Sequence, residues 1–318
     1  MFQLARRLSI SSMGQKVTEL RFPVPWGHIA AKSWGPREGR PVLCLHGWLD
    51  NANSFDRLIP LLPQECQYLA MDFPGHGLSS HRSPGAHYSF PAYVNDVLRV
   101  AKALEWKTFS ILGHSMGGNV ACLFSALFPE MVDKLVILDA YGFLPTEADE
   151  IPRLVRKGME EMLGYESEAR PGKVYPPEEA CQRLLSANSS LCEESALILL
   201  QRGSTEVPGG LVFNRDFRLN LTNIARVTLE QSLQLQKRIT ASVLIVLADE
   251  GIRKMAILNP DKLLQGFRDS LGESHFRLES VPGNHHVHLN QPEKVSPIVG
   301  RFLSSPAWSS SIDSAAKL

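Results

Sequence analysis

The chain has 318 residues, enough for one large core or for a core that carries an insertion, and enough to bury a pocket. Lysine plus arginine and aspartate plus glutamate balance at 33 each, so no global field draws nucleic acid or an anionic lipid surface. No apolar run approaches the roughly eighteen residues that cross a membrane, and the 44% hydrophobic and 21% charged content is that of an ordinary soluble enzyme with a small-molecule partner.

The start, MFQLARRLSISSMGQK, is basic and free of acids, a faint echo of a mitochondrial presequence; it is expected to be a disordered leader over residues 1–17. Thr18 to Phe22 then reads as a strand, broken by Pro23, Pro25 and Gly27, with His28 to Trp34 as its hairpin partner. Pro41 to Leu45 is a continuous apolar run of the kind found in a buried parallel strand, and it ends at His46-Gly47-Trp48. Ser54 to Leu62 has helical spacing. Tyr68 to Met71 is a further buried strand, closed by the loop Asp72-Phe73-Pro74-Gly75-His76-Gly77. Val94, Val97, Leu98, Ala101 and Leu104 form one helical face and lead into Phe109 to Gly118, FSILGHSMGG.

In that stretch a strand, a serine and a helix follow one another. Gly113, Ser115 and Gly117 make G-x-S-x-G, the turn that lifts a serine hydroxyl clear of a sheet. The bare motif occurs by chance in about one chain of this length in ten, so it is the strand before it and the helix after it that give it weight. Leu135 to Leu138 is the following strand, closed by Asp139. Strands alternating with helices predict a mostly parallel α/β sheet with helices on both faces and a ligand site at the carboxyl ends of the strands.

From Gly142 to about Arg226 the alternation stops: helical stretches at Ile151 to Leu163, Glu178 to Leu185 and Glu193 to Gln201 are predicted, with no buried-strand run until Val243. The predicted organisation is a core (18–141), an inserted helical cap (142–226), the rest of the core (227–304) and a mobile serine-rich tail (305–318). The second part of the core holds a strand at Ala241 to Leu247, a helix at Pro260 to Leu271, the last strand at Phe276 to Val281 and a final helix at Pro292 to Leu303. Five cysteines, an odd number with no C-x-x-C pair, read as reduced thiols of an intracellular protein.

A serine needs a base, and the base needs an orienting group. VPGNHHVHLNQPE places three histidines just after the last strand, and His285 is closest to the strand end. The chain resembles the α/β-hydrolases, and from Val24 to Leu303 it resembles the serine hydrolase-like proteins among them, through VPWGHIAAKSWG, PVLCLHGWLDNANSFDRLIPLLP, MDFPGHGLSSH, FSILGHSMGG and VPGNHHVHLNQPE. The resemblance implies Ser115 as nucleophile, His285 as base, and an oxyanion hole made by the backbone amides of Trp48, in the H-G turn, and Met116. It leaves the acid open. Counting along ASVLIVLADE puts the expected acid at Glu250, beside Asp249, while some relatives take it from the strand after the elbow, here Asp139. The chain order Ser, acid, His favours Glu250.

The expected activity is hydrolysis of a small ester or related acyl substrate, with no metal and no cofactor; Gly75-His76-Gly77 lacks the third glycine of a dinucleotide site. Ser115 excludes the aspartyl-ester route of epoxide hydrolases and dehalogenases, and carbon–carbon hydrolases are capped serine relatives. The rival class is a silent ligand-binding or signalling module on the same fold. The closing Ala316-Lys317-Leu318 resembles the peroxisomal address S-K-L, read by the import receptor, with a cytoplasmic location as the alternative. A fluorescent protein fused to the amino terminus is expected to give peroxisomal puncta that vanish when these three residues are deleted.

Overall fold

A computed structural model of the chain describes residues 8–12, 15–167 and 172–305. Its centre is a nine-stranded sheet. The strands are β1 (Leu8–Ser12), β2 (Gln15–Val24), β3 (Gly27–Trp34), β4 (Arg40–Leu45), β5 (Cys66–Met71), β6 (Phe109–His114) and β7 (Val132–Leu138), joined after an insertion by β10 (Ser242–Glu250) and β11 (Phe276–Asn284). Their spatial order is β1-β2-β3-β5-β4-β6-β7-β10-β11. The pairs from β5 through β11 are all parallel, whereas β1, β2 and β3 add an antiparallel edge.

The period of two along each strand divides the core into two apolar layers. Leu43, Leu45, Ile111, Ile137 and Ile245 face a layer shared with Val97 of α1 (Phe90–Ala103), Val120 and Phe124 of α2 (Met116–Leu127) and Phe267 of α7 (Pro260–His275). Val42, Cys44, Leu112, Val136 and Val246 face the other, with Phe55, Leu58 and Val299 of α9 (Ser296–Ser304). Strands buried on both faces are thus apolar at every position, as the uninterrupted runs of β4 and β10 are. All five cysteines are free thiols.

The insertion between β7 and β10 holds α3 (Ile151–Glu166), α4 (Pro177–Ala187), α5 (Glu193–Gly203), a hairpin of β8 (Ser204–Val207) and β9 (Gly210–Phe213), and then α6 (Leu229–Gln236), which returns to the core. The expectation of a purely helical cap is corrected by that hairpin: its strands have four residues each, and the one apolar stretch in them, Leu211-Val212-Phe213, is too short to stand out as a strand. A small core of Tyr175, Ala180, Cys181, Ala196 and Leu200 holds the cap elements together. The cap is also strapped to the sheet. Arg202 of α5 donates from Nε to both oxygens of Asp72, at 2.8 and 3.0 Å, and from its two terminal nitrogens to Glu19 of β2.

Three further expectations change. The disordered leader is corrected over Leu8–Ser12, which pairs antiparallel with β2 (Leu8 opposite Glu19), and over residues 15–17, which belong to β2; residues 1–7 lie outside the described residues. The helix expected from Ser54 to Leu62 is two short 3₁₀ turns, Ala52–Phe55 and Ile59–Leu61, with Pro60 inside the second. The last helix begins at Ser296 rather than at Pro292, after another such turn. Ala316-Lys317-Leu318 falls outside the described residues. No helix among the described residues is long and apolar enough to cross a membrane.

Candidate active site

Strand β6 ends at His114, helix α2 begins at Met116, and Ser115 alone makes the turn between them with φ 50° and ψ −116°. A non-glycine residue at such an angle is strained by about 1–3 kcal/mol, and the packing around it must hold it there. Two close approaches do so. A Cβ on Gly113 would stand 2.6 Å from the carbonyl oxygen of Gly117, and a Cβ on Gly117 would stand 2.0 Å from that of Leu45. Helix α2 therefore starts directly against the end of β4, and the loop that leaves β4 lies beside the serine.

His285 follows β11 and precedes the short helix α8 (Val287–Asn290). Its Nε2 lies 2.9 Å from Ser115 Oγ and its Nδ1 lies 2.6 Å from Asp139 Oδ2. With Nδ1–H donated to the carboxylate, Nε2 carries the lone pair that accepts the serine hydroxyl. Asp139, at the end of β7 and with φ 47°, is only 1% exposed. Two more donors hold it: the amide of Ala248 gives to Oδ1 and that of Ile252 to Oδ2, each at 2.8 Å.

The favoured acid, Glu250, is corrected by this geometry. The pairing of β10 with β11 shifts register between Ala248 and Glu250, the glutamate is exposed, and its carboxylate pairs with Lys254 at 3.3 Å. Asp249 is exposed too and accepts from the amide of Gly283 at 2.8 Å. What the β10 loop brings to the site is backbone. A Cβ on Gly251 would stand 2.2 Å from Asp139 Oδ2. Gly251→Ala should therefore push the carboxylate off His285 and lower turnover by about 10²-fold; an active variant with an unchanged circular dichroism spectrum would show that the carboxylate tolerates the shift.

The H-G turn is set by its histidine. His46 is fully buried; Nδ1–H donates to its neighbour's carbonyl, Gly47 O, at 2.7 Å, and Nε2 accepts from the amide of Phe73 at 3.0 Å. Burial pushes its pKa down, which keeps the ring neutral and fit for both roles. Trp48 is 52% exposed and its indole N–H donates to Leu219 O of the cap at 2.9 Å. Met116 opens α2, so its amide is among the first-turn donors that a helix leaves without an internal partner.

Behind the serine lies a cluster that the sequence reading, which expected no metal site, passed over. Asp50, His114, His286 and His288 are all buried. His114 Nε2 bonds the carbonyl of His285 at 2.8 Å, and His114 and His288 have ring centroids 4.0 Å apart. Asp50 Oδ2 lies 3.1 Å from His286 Nε2 and 3.6 Å from His114 Nδ1. Burial opposes charge on Asp50, but the imidazoles of His286 and His114 outweigh it and hold the acid well below the usual carboxylate range. Burial pushes His114 down to about 4. The sequence signal was present in GHS, HGWLD and NHHVH, but only the fold joins the three.

A space of about 20 Å³ between core and cap, lined by Asp50, Asn51, Leu199 and Phe213 among others, has room for about one water; Ser115 is not among its walls.

A model of the alpha/beta hydrolase fold matches residues 40–172. A "Serine hydrolase-like protein" of Danio rerio is 49% identical over 304 residues, which is 95% of this chain and 93% of that protein. "Serine hydrolase-like protein 2" of Homo sapiens is 47% identical over 300 residues, 90% of this chain and 94% of that protein. The crystal structure of a hypothetical protein from Pseudomonas aeruginosa PAO1 superposes with a TM-score of 0.81 at 35% identity, covering 90% of this chain and 99% of that one. The fold and these relatives together support a hydrolase.

Proposed function

This chain belongs to the serine hydrolase-like family of the α/β-hydrolase fold, and from that premise we propose that it cleaves a small ester or related acyl substrate through an acyl-enzyme on Ser115. The observation that carries the reading is the unbroken chain Ser115 Oγ, His285 Nε2, His285 Nδ1, Asp139 Oδ2, at 2.9 and 2.6 Å. His285 takes the serine proton as Oγ attacks the carbonyl, then returns it to the leaving alcohol; a water attacks the acyl-enzyme by the same route. Asp139 holds the imidazole in the tautomer that presents a lone pair to the serine and stabilises the imidazolium once formed. The amides of Trp48 and Met116 receive the negative charge on the former carbonyl oxygen, and each such donor is worth about 10²–10³ in turnover.

A fluorophosphonate should label the purified protein on Ser115 and leave Ser115→Ala unlabelled. A folded wild type that resists the probe would sink the hydrolytic reading and favour the ligand-binding module. The exposed rings of Trp48 and Phe217, near each other through the Trp48–Leu219 bond, support an apolar acyl group. In a panel of p-nitrophenyl esters, kcat/KM is expected to rise with acyl length to an optimum; a flat profile would argue against selection by the cap.

A further inference from the structure

The tautomers of the buried cluster follow from its own hydrogen bonds. His114 Nε2 faces the carbonyl of His285, which only accepts, so Nε2 carries the proton and Nδ1 is a bare lone pair. That Nδ1 is fully buried, has no hydrogen-bond partner and points at Asp50 Oδ2, 3.6 Å away. His286 stands on the other side of Asp50. Ser190 donates its hydroxyl to Asn188 Oδ1 at 2.7 Å, so its oxygen accepts from His286 Nδ1–H, also at 2.7 Å, and His286 Nε2 hydrogen-bonds the Asp50 carboxylate at 3.1 Å. The unpartnered His114 Nδ1, the Asp50 carboxylate and His286 Nε2 thus converge in the interior, where a bound cation would take the place of the proton on His286 Nε2.

Such a set calls for a cation. We infer that Asp50, His114 and His286 form a binding site for one divalent transition-metal ion of the zinc class, placed behind the nucleophile. The three ligand atoms lie within 4.8 Å of one another. Ligands at about 2.0–2.1 Å in a tetrahedral array are separated by about 3.3 Å, close to the two spacings given above. Two imidazoles and a carboxylate are borderline donors that suit zinc, cobalt or nickel rather than calcium or magnesium. The outer shell is in place as well, since each histidine donates its other ring N–H, to a carbonyl and to a hydroxyl.

Gly47 leaves the room. A Cβ there would stand 2.9 Å from His114 Nδ1 and 3.0 Å from Asp50 Oδ2, in front of both ligand atoms. A water-sized space on the cap side is lined by Asp50 itself. An ion here adds positive charge near His285, whose ring centroid is 4.8 Å from that of His114.

The site is tested by metal content. Protein stripped with a chelator, reloaded with zinc chloride and freed of excess ion by gel filtration should retain one zinc per chain by mass spectrometry of the metal. Asp50→Asn and His286→Gln should each bind zinc at least tenfold to a hundredfold more weakly. No retained zinc in the wild type, or equal retention in both folded variants, overturns the proposal. Should the variants fail to fold, X-ray absorption of the zinc-loaded wild type decides: imidazole scattering from two histidines is expected, and its absence overturns the site.

Discussion

Asp139→Asn is expected to lower ester turnover by about 10⁴-fold, while Glu250→Gln and Asp249→Asn stay within a few-fold of the wild type. An amide at position 139 can turn its NH₂ toward His285, which flips the imidazole so that its proton faces the serine and the lone pair is lost to catalysis. The same substitution touches stability. The carboxylate accepts from three N–H groups, those of Ala248, Ile252 and His285, and an amide with one oxygen cannot keep all of them. A loss of about 1–3 kcal/mol is the expected cost, so the kinetics should be paired with thermal unfolding. A dead Glu250→Gln beside an active Asp139→Asn would return the acid to the end of β10.

Arg202→Ala should produce the largest loss of stability of any single change between cap and core. The guanidinium is 4% exposed and lies between Asp72, which is fully buried, and Glu19. Asp72 is also a structural acceptor, taking the amides of Ala52 at Oδ1 and Leu78 at Oδ2, both at 2.8 Å. Removing the arginine strands that carboxylate in the interior. Breaking a buried pair in this way costs about 3–5 kcal/mol, and at about 2–4 °C per kcal/mol the melting temperature should fall by about 6–20 °C. Arg202→Lys should recover little, because an ammonium cannot bridge two carboxylates with a planar fork. A shift under about 2 °C in either variant would show that water or a neighbouring cation replaces the guanidinium.

Much of the fold is legible in sequence, for a physical reason. Strands buried on both faces carry long apolar runs, and Val42–Leu45 of β4, Leu135–Leu138 of β7 and Val243–Ala248 of β10 stand out for that alone. The elbow is legible because two close backbone approaches demand glycine at 113 and 117. The acid is not. Glu250 ends a parallel strand and Asp139 follows one, and what separates them is where each carboxylate points once the β10–β11 register has shifted, a property of the assembled sheet. The β8–β9 hairpin escaped because its strands are four residues long and its apolar stretch, Leu211-Val212-Phe213, is shorter than a strand usually needs to be read. Asp50, His114 and His286 escaped because they come from three segments far apart in sequence, two loops and the end of β6, each of whose residues had a sufficient local reading.

Placing the acid on β7 has an evolutionary consequence. The end of β10 and the loop leaving it contribute the amides of Ala248 and Ile252 and the bare Cα of Gly251, but no side chain, to the Asp139 carboxylate. Positions 249, 250 and 253–255 are thereby released from the reaction, and the loop can change its chemistry as long as its backbone path is kept. A saturation library there should return many active members at every position but Gly251, making the rim of the site a region where substrate preference can drift between descendants of one gene while the nucleophile, base and acid stay fixed.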